Sequence, residues 1–243
     1  MTKSELINNL PECIDNTWLD FIHSEISKIS EIEKIILQEK NYTPPLEKVL
    51  RFLNVPLNKV KIIILGQDPY PQEGVATGRA FEVGTLKEWN EKFRNISLKN
   101  IIRAIYKAYS NEILGYKDIF KKEFKILPPC EIFEYWESQG VLLLNTAFTC
   151  EIGKSNSHSK IWNDFTNSLL EYIAEKNQKA YWFLWGDNAK KVTVNIKIDK
   201  ARKIVTFHPM MCYNRENDFL YGNTNPFKIT KNIIDWTGYK NGL

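Results

Sequence analysis

The sequence predicts an α/β fold of three layers, in which helices cover both faces of a central, mainly parallel four-stranded sheet. Four short apolar runs carry this prediction, at residues 60–65, 141–144, 180–185 and 203–207. They are nearly continuous and rich in β-branched or aromatic residues, which is typical of strands buried on both faces. The segments between them have a helical period, and strands that alternate with helices form parallel sheets through right-handed crossovers.

Three helices are predicted from apolar residues spaced three and four apart. The first lies near the N-terminus. The second follows Ser97, which is assigned as its N-cap, and the third follows His158 and Ser159. The residues predicted to face the core are Ile26, Ile29, Ile32 and Ile36 in the first helix, Ile101, Ile102, Ile105 and Tyr109 in the second, and Trp162, Phe165, Leu169, Leu170 and Ile173 in the third.

Composition excludes several classes of protein. The chain has 243 residues, of which 43% are hydrophobic and 26% charged, as in ordinary globular domains. No apolar run approaches the about 20 residues of a membrane span, and the polar start of the chain does not resemble a secretory signal. No repeat or long linker interrupts the sequence, so we predict one domain over residues 1–243 in a cytoplasmic protein without membrane contact.

The cysteines and the net charge give weaker information. The four cysteines, which are Cys13, Cys130, Cys150 and Cys212, are far apart and form no C-x-x-C pair. Neither a metal site nor a disulfide framework is therefore expected, and the cysteines are interpreted as ordinary thiols. The net charge of +4 permits a polyanionic partner without requiring one.

Polar side chains follow all four predicted strands. Gln67 and Asp68 follow the first, Asn145 the second, Asp187 the third and His208 the fourth. Each of these residues, taken alone, is of a type that is common in turns. Because the carboxyl ends of parallel strands meet at one edge of a sheet, where ligands bind in open α/β folds, the four together favour a functional site.

With their surroundings, these residues resemble the uracil-DNA glycosylases of the ubiquitous first family. The resemblance extends from about Trp18 to Trp236 and implies a monofunctional DNA-repair enzyme, without metal or cofactor, that releases uracil from DNA and leaves an abasic site. It rests on five blocks in the family's order, which are Gly66-Gln67-Asp68-Pro69-Tyr70 with Gly74, Gly78 and Phe81, residues 136–146, Asn156-Ser157-His158, Leu184-Trp185-Gly186 and His208-Pro209.

The resemblance assigns two catalytic residues that the chemistry needs. Breaking the glycosidic bond builds positive charge on the sugar and negative charge on the base. Asp68 supplies the anion beside the sugar and orients the attacking water, and His208 donates to uracil O2 from a neutral imidazole. The alternatives are a carboxylate that caps its own turn before Pro69, and a structural imidazole.

Four residues are assigned to the substrate pocket by the same resemblance. The amide of Asn145 pairs with uracil O4 and N3–H, a pattern that cytosine reverses. Tyr70 forms a wall against the 5-methyl group of thymine, and Phe81 stacks on the extruded base. Gln67 belongs to the same block. For either aromatic residue alone, core packing is the alternative.

The predicted DNA-binding rim departs from the family. Where the family has phosphate-binding serines, this chain has Asp187 after Trp185-Gly186 and Met210 after His208-Pro209. The remaining position falls in residues 97–100, with Ser97, Lys99 and Asn100 as candidates. An acidic side chain that faces a phosphate weakens DNA binding unless it points away.

The residue that wedges into the duplex is also changed. The position of the family's intercalating leucine falls on Cys212, with Met211 or Tyr213 as substitutes. Pro71 replaces the usual histidine, as we associate with the poxvirus branch, and Arg79 stands where an apolar residue is usual.

A basic segment precedes the second predicted strand and is longer than is typical of the family. It contains Lys117, Lys121, Lys122 and Lys125. A solvated loop and a supplementary phosphate contact are the two interpretations.

Uracil-containing DNA, single- or double-stranded, is the expected partner of a monomeric enzyme, and a protein partner or inhibitor is left unspecified. One alternative is a glycosylase-fold protein that acts mainly as a DNA-binding or replication scaffold, which the altered phosphate positions favour. Retention of Asp68, Phe81, Asn145 and His208 argues against it. A metabolic enzyme is disfavoured because no G-x-G-x-x-G or P-loop motif follows any strand.

Overall fold

A parallel sheet forms the centre of the molecule. The computed structural model describes residues 14–39 and 41–239. The strands within this part of the chain are β1 (Tyr42–Thr43), β2 (Ile62–Gly66), β3 (Val141–Asn145), β4 (Cys150–Glu151), β5 (Tyr181–Trp185) and β6 (Lys203–Thr206). Four of them pair in the order β3-β2-β5-β6, all parallel. The four predicted strands are confirmed, with ends that differ by two residues at most.

Helices surround this sheet. They are α1 (Leu19–Glu39), α2 (Leu46–Val49), α3 (Ile96–Ser110), α4 (Tyr116–Ile119), α5 (Pro129–Ser138), α6 (Ser159–Lys176), α7 (Gly186–Val192) and α8 (Pro226–Thr230). Short 3-10 turns lie at Asn16–Trp18, Arg51–Asn54, Leu57–Lys59, Phe120–Lys122 and Lys200–Arg202. Helix α1 packs against α6, and α3 packs against α8.

Two hydrophobic cores lie on opposite faces of the sheet, because successive side chains of a strand point in opposite directions. Ile63 and Leu65 of β2 belong to the core that also contains the apolar faces of α1 and α6. Ile62 and Ile64 belong to the other core, with residues of α3, α5 and α8. The predicted three-layer α/β/α arrangement is therefore confirmed.

Two details of the predicted helices are wrong. Helix α3 begins at Ile96 with Asn95 as its N-cap residue, so Ser97 lies in the first turn of the helix instead of capping it. In α1, Ile29, Ile32 and Ile36 are buried, but Ile26 is exposed. The buried positions of α1 fall four and three residues apart from Ile22 onward, and Ile26 is displaced from that stripe onto the outer surface.

The strands β1 and β4 form a separate antiparallel pair. The sequence did not predict this pair, because two residues per strand are too few for an alternating pattern. It fixes the start of the segment 151–157, which also contacts the chain just beyond β2 through a hydrogen bond from Gly153 N–H to the Pro71 carbonyl at 2.9 Å. This segment thereby reaches the carboxyl edge of the sheet.

Among the described residues, Cys130, Cys150 and Cys212 are free thiols, while Cys13 lies outside the described residues. No helix in the described ranges is long and apolar enough to cross a membrane. In the same ranges, no group of three or more His, Cys, Asp or Glu side chains is arranged to hold a metal ion.

Candidate active site

A cleft of about 490 Å³ lies at the carboxyl edge of the sheet. Ten of the residues predicted to form the site line it, namely Gln67, Asp68, Tyr70, Phe81, Ser97, Asn145, Asp187, Met210, Met211 and His208. The four strand ends therefore converge as the parallel topology requires. Lys99, Asn100, Cys212 and Tyr213 are not part of this cleft lining.

The Asp68 carboxylate is held by the segment that follows β4. Its Oδ2 atom accepts from the Ser155 hydroxyl at 2.7 Å and from the Asn156 N–H at 2.6 Å. Asn156 has a φ of +65°, a left-handed conformation that asparagine tolerates better than most residues. Because both donors are more than 80 residues distant in sequence, Asp68 does not cap its own turn, and that alternative is wrong. In the described part of the chain, Oδ1 forms no hydrogen bond.

His208 is poised as a neutral donor. Its Nδ1 atom accepts from the Met210 N–H at 3.1 Å, which assigns the proton of the neutral ring to Nε2. Burial lowers the pKa of His208 below its ordinary value, so the neutral form predominates at physiological pH. Gly186 lies against the ring with a φ of +83°, and a Cβ at that position would be 2.8 Å from His208 Cβ. Glycine is therefore required beside the imidazole.

Asn145 ends β3 inside the cleft, and its side chain is only 3% exposed. Its amide forms no hydrogen bond with any other described residue. The amide atoms face the cleft and are not enclosed by protein, so water or a ligand can reach them. Gly66, its register partner on β2, makes the room that the amide occupies, because a Cβ at Gly66 would be 2.4 Å from Asn145 Oδ1. A ligand with both a donor and an acceptor would satisfy this amide.

Two aromatic side chains line the cleft beside these groups. Phe81 has a φ of +66°, and its ring lies 5.4 Å from Trp185 and 6.3 Å from the imidazole of His208. The Tyr70 hydroxyl donates to the Phe81 carbonyl at 3.4 Å. Burial raises the pKa of Tyr70 to about 12, so its phenol stays uncharged at neutral pH.

Arg79, two residues before Phe81, is held by two carboxylates. It is buried and donates to Glu137 on α5, with Nη2 and Oε2 2.6 Å apart, and to Glu82 at 3.3 Å. Glu82 also accepts from the Thr77 hydroxyl. Burial on its own lowers the pKa of Arg79, but the two carboxylates outweigh burial and raise it. The sequence marked Arg79 as unusual but did not identify its two partners.

Four of the residues predicted to contact DNA lie outside the cleft lining. Asn100 is 6% exposed and donates to the Pro209 carbonyl at 2.7 Å, so it fixes the loop after β6 from inside. Cys212 is half-buried, with its Sγ 3.4 Å from the Pro209 carbonyl, and packs on the core. Lys99 donates to the Phe93 carbonyl at 2.6 Å and borders a different groove.

The exposed apolar side chains of the rim are Met210, Met211 and Tyr213. Two charged residues hold the backbone from which they project. Asp218 is fully buried and accepts from the Tyr213 N–H at 2.9 Å, and Arg215 donates to the Met211 carbonyl at 3.1 Å. The sequence did not identify these two residues, because nothing in a loop without periodicity indicates its internal hydrogen bonds.

Asp187 faces solvent at the mouth of the cleft. Its side chain is 95% exposed and lies 3.3 Å from the ammonium group of Lys190. In the basic segment, Lys121 pairs with Asp118 at 2.8 Å, and Lys117, Lys122 and Lys125 are exposed.

Several known proteins are similar to this chain in sequence and in fold. The profile described as the uracil DNA glycosylase superfamily matches residues 54–228. The uracil-DNA glycosylase of Aliivibrio salmonicida is 32% identical over 92% of this chain and 98% of that protein, and that of Fusobacterium nucleatum is 34% identical over 81% of each. The wild-type UNG structure from Nitratifractor salsuginis superposes with a TM-score of 0.66 at 26% identity, covering 85% of this chain and 88% of that one. A mimivirus UNG variant in complex with UGI gives a TM-score of 0.64 at 26% identity, covering 84% of this chain and 72% of that one. The chain therefore belongs to the uracil-DNA glycosylase superfamily.

Proposed function

We propose that this protein hydrolyses the N-glycosidic bond of deoxyuridine in DNA, releasing uracil and leaving an abasic site for base excision repair. One observation carries the proposal most directly. A buried side-chain amide without a hydrogen-bond partner among the described residues, Asn145, lines the same cleft as a fixed carboxylate, Asp68, and a neutral imidazole, His208. Family membership supplies the reaction, and these groups supply its chemical requirements.

Recognition of the base rests on the Asn145 amide. Its NH₂ group donates to uracil O4 and its oxygen accepts from N3–H. Cytosine presents the reverse pattern, an amino group and an unprotonated N3, so it would leave both halves of the buried amide unsatisfied. Phe81 offers a ring on which the extruded base stacks, and Tyr70 closes the space that a 5-methyl group would need.

The chemical step uses Asp68 and His208 on opposite sides of the breaking bond. The bond between C1′ and N1 breaks, and its electron pair leaves with the base. The anion of Asp68 stabilises the positive sugar and orients a water molecule, whose oxygen forms the new bond to C1′. His208 donates a hydrogen bond from Nε2 to uracil O2 as negative charge develops there. Because its pKa is lowered by burial, this donation comes from the neutral ring.

Base extrusion requires contacts with the strand around the cleft. Ser97 remains a candidate for a phosphate contact because its side chain lines the cleft. Met211 or Tyr213, which are exposed on the loop after β6, take the place of the intercalating residue. Asp187 lies where a phosphate would pass, so we propose that duplex binding is weaker than in relatives with a neutral residue there. Single-stranded or mismatched uracil, which costs less to extrude, is then the preferred substrate.

A scaffold without catalysis is less well supported than an enzyme. Such a protein would need neither an unpaired amide in the cleft nor the two contacts that orient Asp68. We propose that the protein acts as a monomer and as one domain over residues 1–243, which size-exclusion chromatography with light scattering would test.

The direct experiment measures excision from a labelled oligonucleotide that contains one uracil, followed by alkaline cleavage of abasic sites. Single strand, U·G duplex and U·A duplex are compared, with a thymine strand as the negative control. Asp68→Asn is the matched inactive variant. If the wild-type protein binds each oligonucleotide but releases no uracil from any of them, the enzymatic function is wrong and the scaffold is favoured.

A further inference from the structure

A second groove, of about 460 Å³, lies beside the rim of the catalytic cleft and shares no lining residue with it. It opens between residues 89–93 and α4 with the turn that follows. Its walls are aromatic. Trp89 and Phe120 are stacked with ring centroids 6.5 Å apart, and Tyr116 meets Phe93 edge-on at 5.5 Å. Phe93, Tyr116 and Phe120 are only partly buried, so aromatic surface borders the open groove.

The charge that lines this groove is positive. Lys92, Lys99 and Lys117 border it, against one carboxylate, that of Glu91. Glu91 is turned toward the backbone, because its Oε1 accepts from the N–H groups of residues 87 and 88. Lys99 lies 4.8 Å from the centre of the Phe93 ring. Lys92 and Lys117 are exposed and form no ion pair within the described ranges.

The groove lies close to the cleft in which the uracil is proposed to bind. Lys99 follows Ser97 by two residues in the first turn of α3, and Ser97 lines the catalytic cleft. The two cavities therefore lie on either side of the N-terminal end of one helix. A strand that continued from the cleft past Ser97 and around this end of the helix would meet Lys99.

We propose that this groove, which we call the flank groove, binds an unpaired nucleotide next to the uracil on the same strand. An aromatic wall combined with unpaired cations is the arrangement that holds single-stranded nucleic acid, with bases stacked on rings and phosphates beside lysines. A base inside a duplex has both faces covered by its neighbours, so only an unpaired base can stack there. An apolar peptide would not use the lysines. The inference rests on the proposed function only in taking DNA as the partner.

Binding of uracil-free single strands tests the flank groove independently of catalysis. Fluorescence anisotropy compares a thymine strand of about 15 nucleotides with a strand trimmed to one nucleotide on each side of the central one. For the wild-type protein we expect the longer strand to bind more tightly. In Phe120→Ala the ratio of long-strand to short-strand affinity falls by about 5- to 150-fold, the loss expected for one stacked base.

A second variant removes two positive charges of the groove and leaves its aromatic side chains in place. In Lys92→Gln/Lys117→Gln, the slope of log affinity against log salt for the long strand becomes less steep by about 1.4, or about 0.7 for each phosphate contact. The control is Lys59→Gln/Lys179→Gln, which removes two exposed lysines at the opposite edge of the sheet and should not change the slope.

The outcomes separate the two proposals. If both groove variants keep the wild-type salt slope and the wild-type ratio of long-strand to short-strand affinity, the flank groove does not bind DNA, even if uracil is excised normally. If the groove variants lose as much affinity for a fully paired duplex as for the single strand, an unpaired nucleotide is not the ligand of the flank groove. Conversely, groove variants that lose long-strand affinity in a protein that releases no uracil would support the groove and contradict the proposed function.

Discussion

Arg79, Glu82 and Glu137 form a buried ion cluster in and beside the segment that carries Phe81. Arg79→Met tests whether this cluster is needed for both the fold and the pocket. The substitution keeps an apolar stem of similar length but leaves Glu82 and Glu137 without their cation. The side chains of Arg79, Glu82 and Glu137 are 6%, 9% and 16% exposed, so solvent replaces little of the lost interaction. Removing one partner of a buried pair costs about 3–5 kcal/mol. The partial exposure of Glu137 places the expected loss at about 3 kcal/mol.

Thermal unfolding measures this loss. In proteins of 150–250 residues, about 1 kcal/mol corresponds to about 2–4 °C in Tm, so Arg79→Met should unfold about 6–12 °C below the wild type. Since the segment that carries Phe81 loses its link to α5, uracil binding should weaken as well, by up to the about 1–3 kcal/mol that a stacked base contributes. Single-turnover kinetics against enzyme concentration would show this as a raised half-saturation concentration.

Two further variants make the test specific. Arg79→Met combined with Glu82→Gln and Glu137→Gln removes the whole charge cluster and should recover most of the Tm, because replacing a buried pair by neutral groups is often tolerated. Lys121→Met breaks an exposed pair with Asp118 and should leave Tm unchanged. An Arg79→Met protein with wild-type Tm, or a triple variant as unstable as the single one, would contradict the reasoning.

Three further predictions concern the cleft. Asp68→Asn and His208→Gln should each slow single-turnover excision at least about 100-fold with nearly unchanged DNA affinity, whereas wild-type rates in Asp68→Asn would remove that carboxylate from the mechanism. Asn145→Asp should permit slow cytosine excision and Tyr70→Ala slow thymine excision, measured by release of the labelled base; a Tyr70→Ala protein with normal uracil activity and no thymine release would mean that another group excludes the methyl. Asp187→Ser should tighten duplex binding at low salt by an amount that shrinks as salt is added, and an equal affinity at all salt concentrations would show that Asp187 points away from the phosphates.

The pH dependence of His208 gives one more prediction. Its pKa is lowered in the folded protein, so its contribution to stability is present above the unfolded value of about 6.5 and is lost as pH falls through the folded pKa. Protonation also removes the acceptor for the Met210 N–H. Uracil excision and Tm should therefore both decline over that window, and His208→Gln should flatten the Tm decline. An identical Tm profile in the variant would assign the decline to other groups.

The sheet and the converging side chains were predictable because both follow from short-range rules. Fully buried parallel strands need continuous apolar runs, and the residue after each such strand must lie on the same edge. Asp68, Asn145 and His208 could therefore be placed in one cleft from sequence. The family resemblance, now confirmed, came from the same strand ends.

The features that were missed depend on distant partners. Glu137 meets Arg79 across 58 positions, and Asn100 meets the Pro209 carbonyl across 109. No periodic pattern records such pairs. The position of the intercalating leucine falls on Cys212 in the motif, but in the structure the Tyr213 N–H donates to Asp218 and Cys212 packs toward the core beside the Pro209 carbonyl. Sequence position alone could not give that direction.

The packing of Gly66 against Asn145 has a consequence for how this protein can change over time. The amide proposed to read the base is positioned by the register of two central strands, and a Cβ at Gly66 would strike it. The residues proposed to meet the DNA backbone lie at the rim of the cleft, and Asp187, Met210 and Met211 among them are exposed. Substitutions can therefore accumulate at the rim, as at Asp187 and Met210, without moving the Asn145 amide. Strand preference can therefore change through rim residues alone, whereas a change of base specificity has to act on side chains inside the cleft, such as Asn145, whose place is set by the sheet.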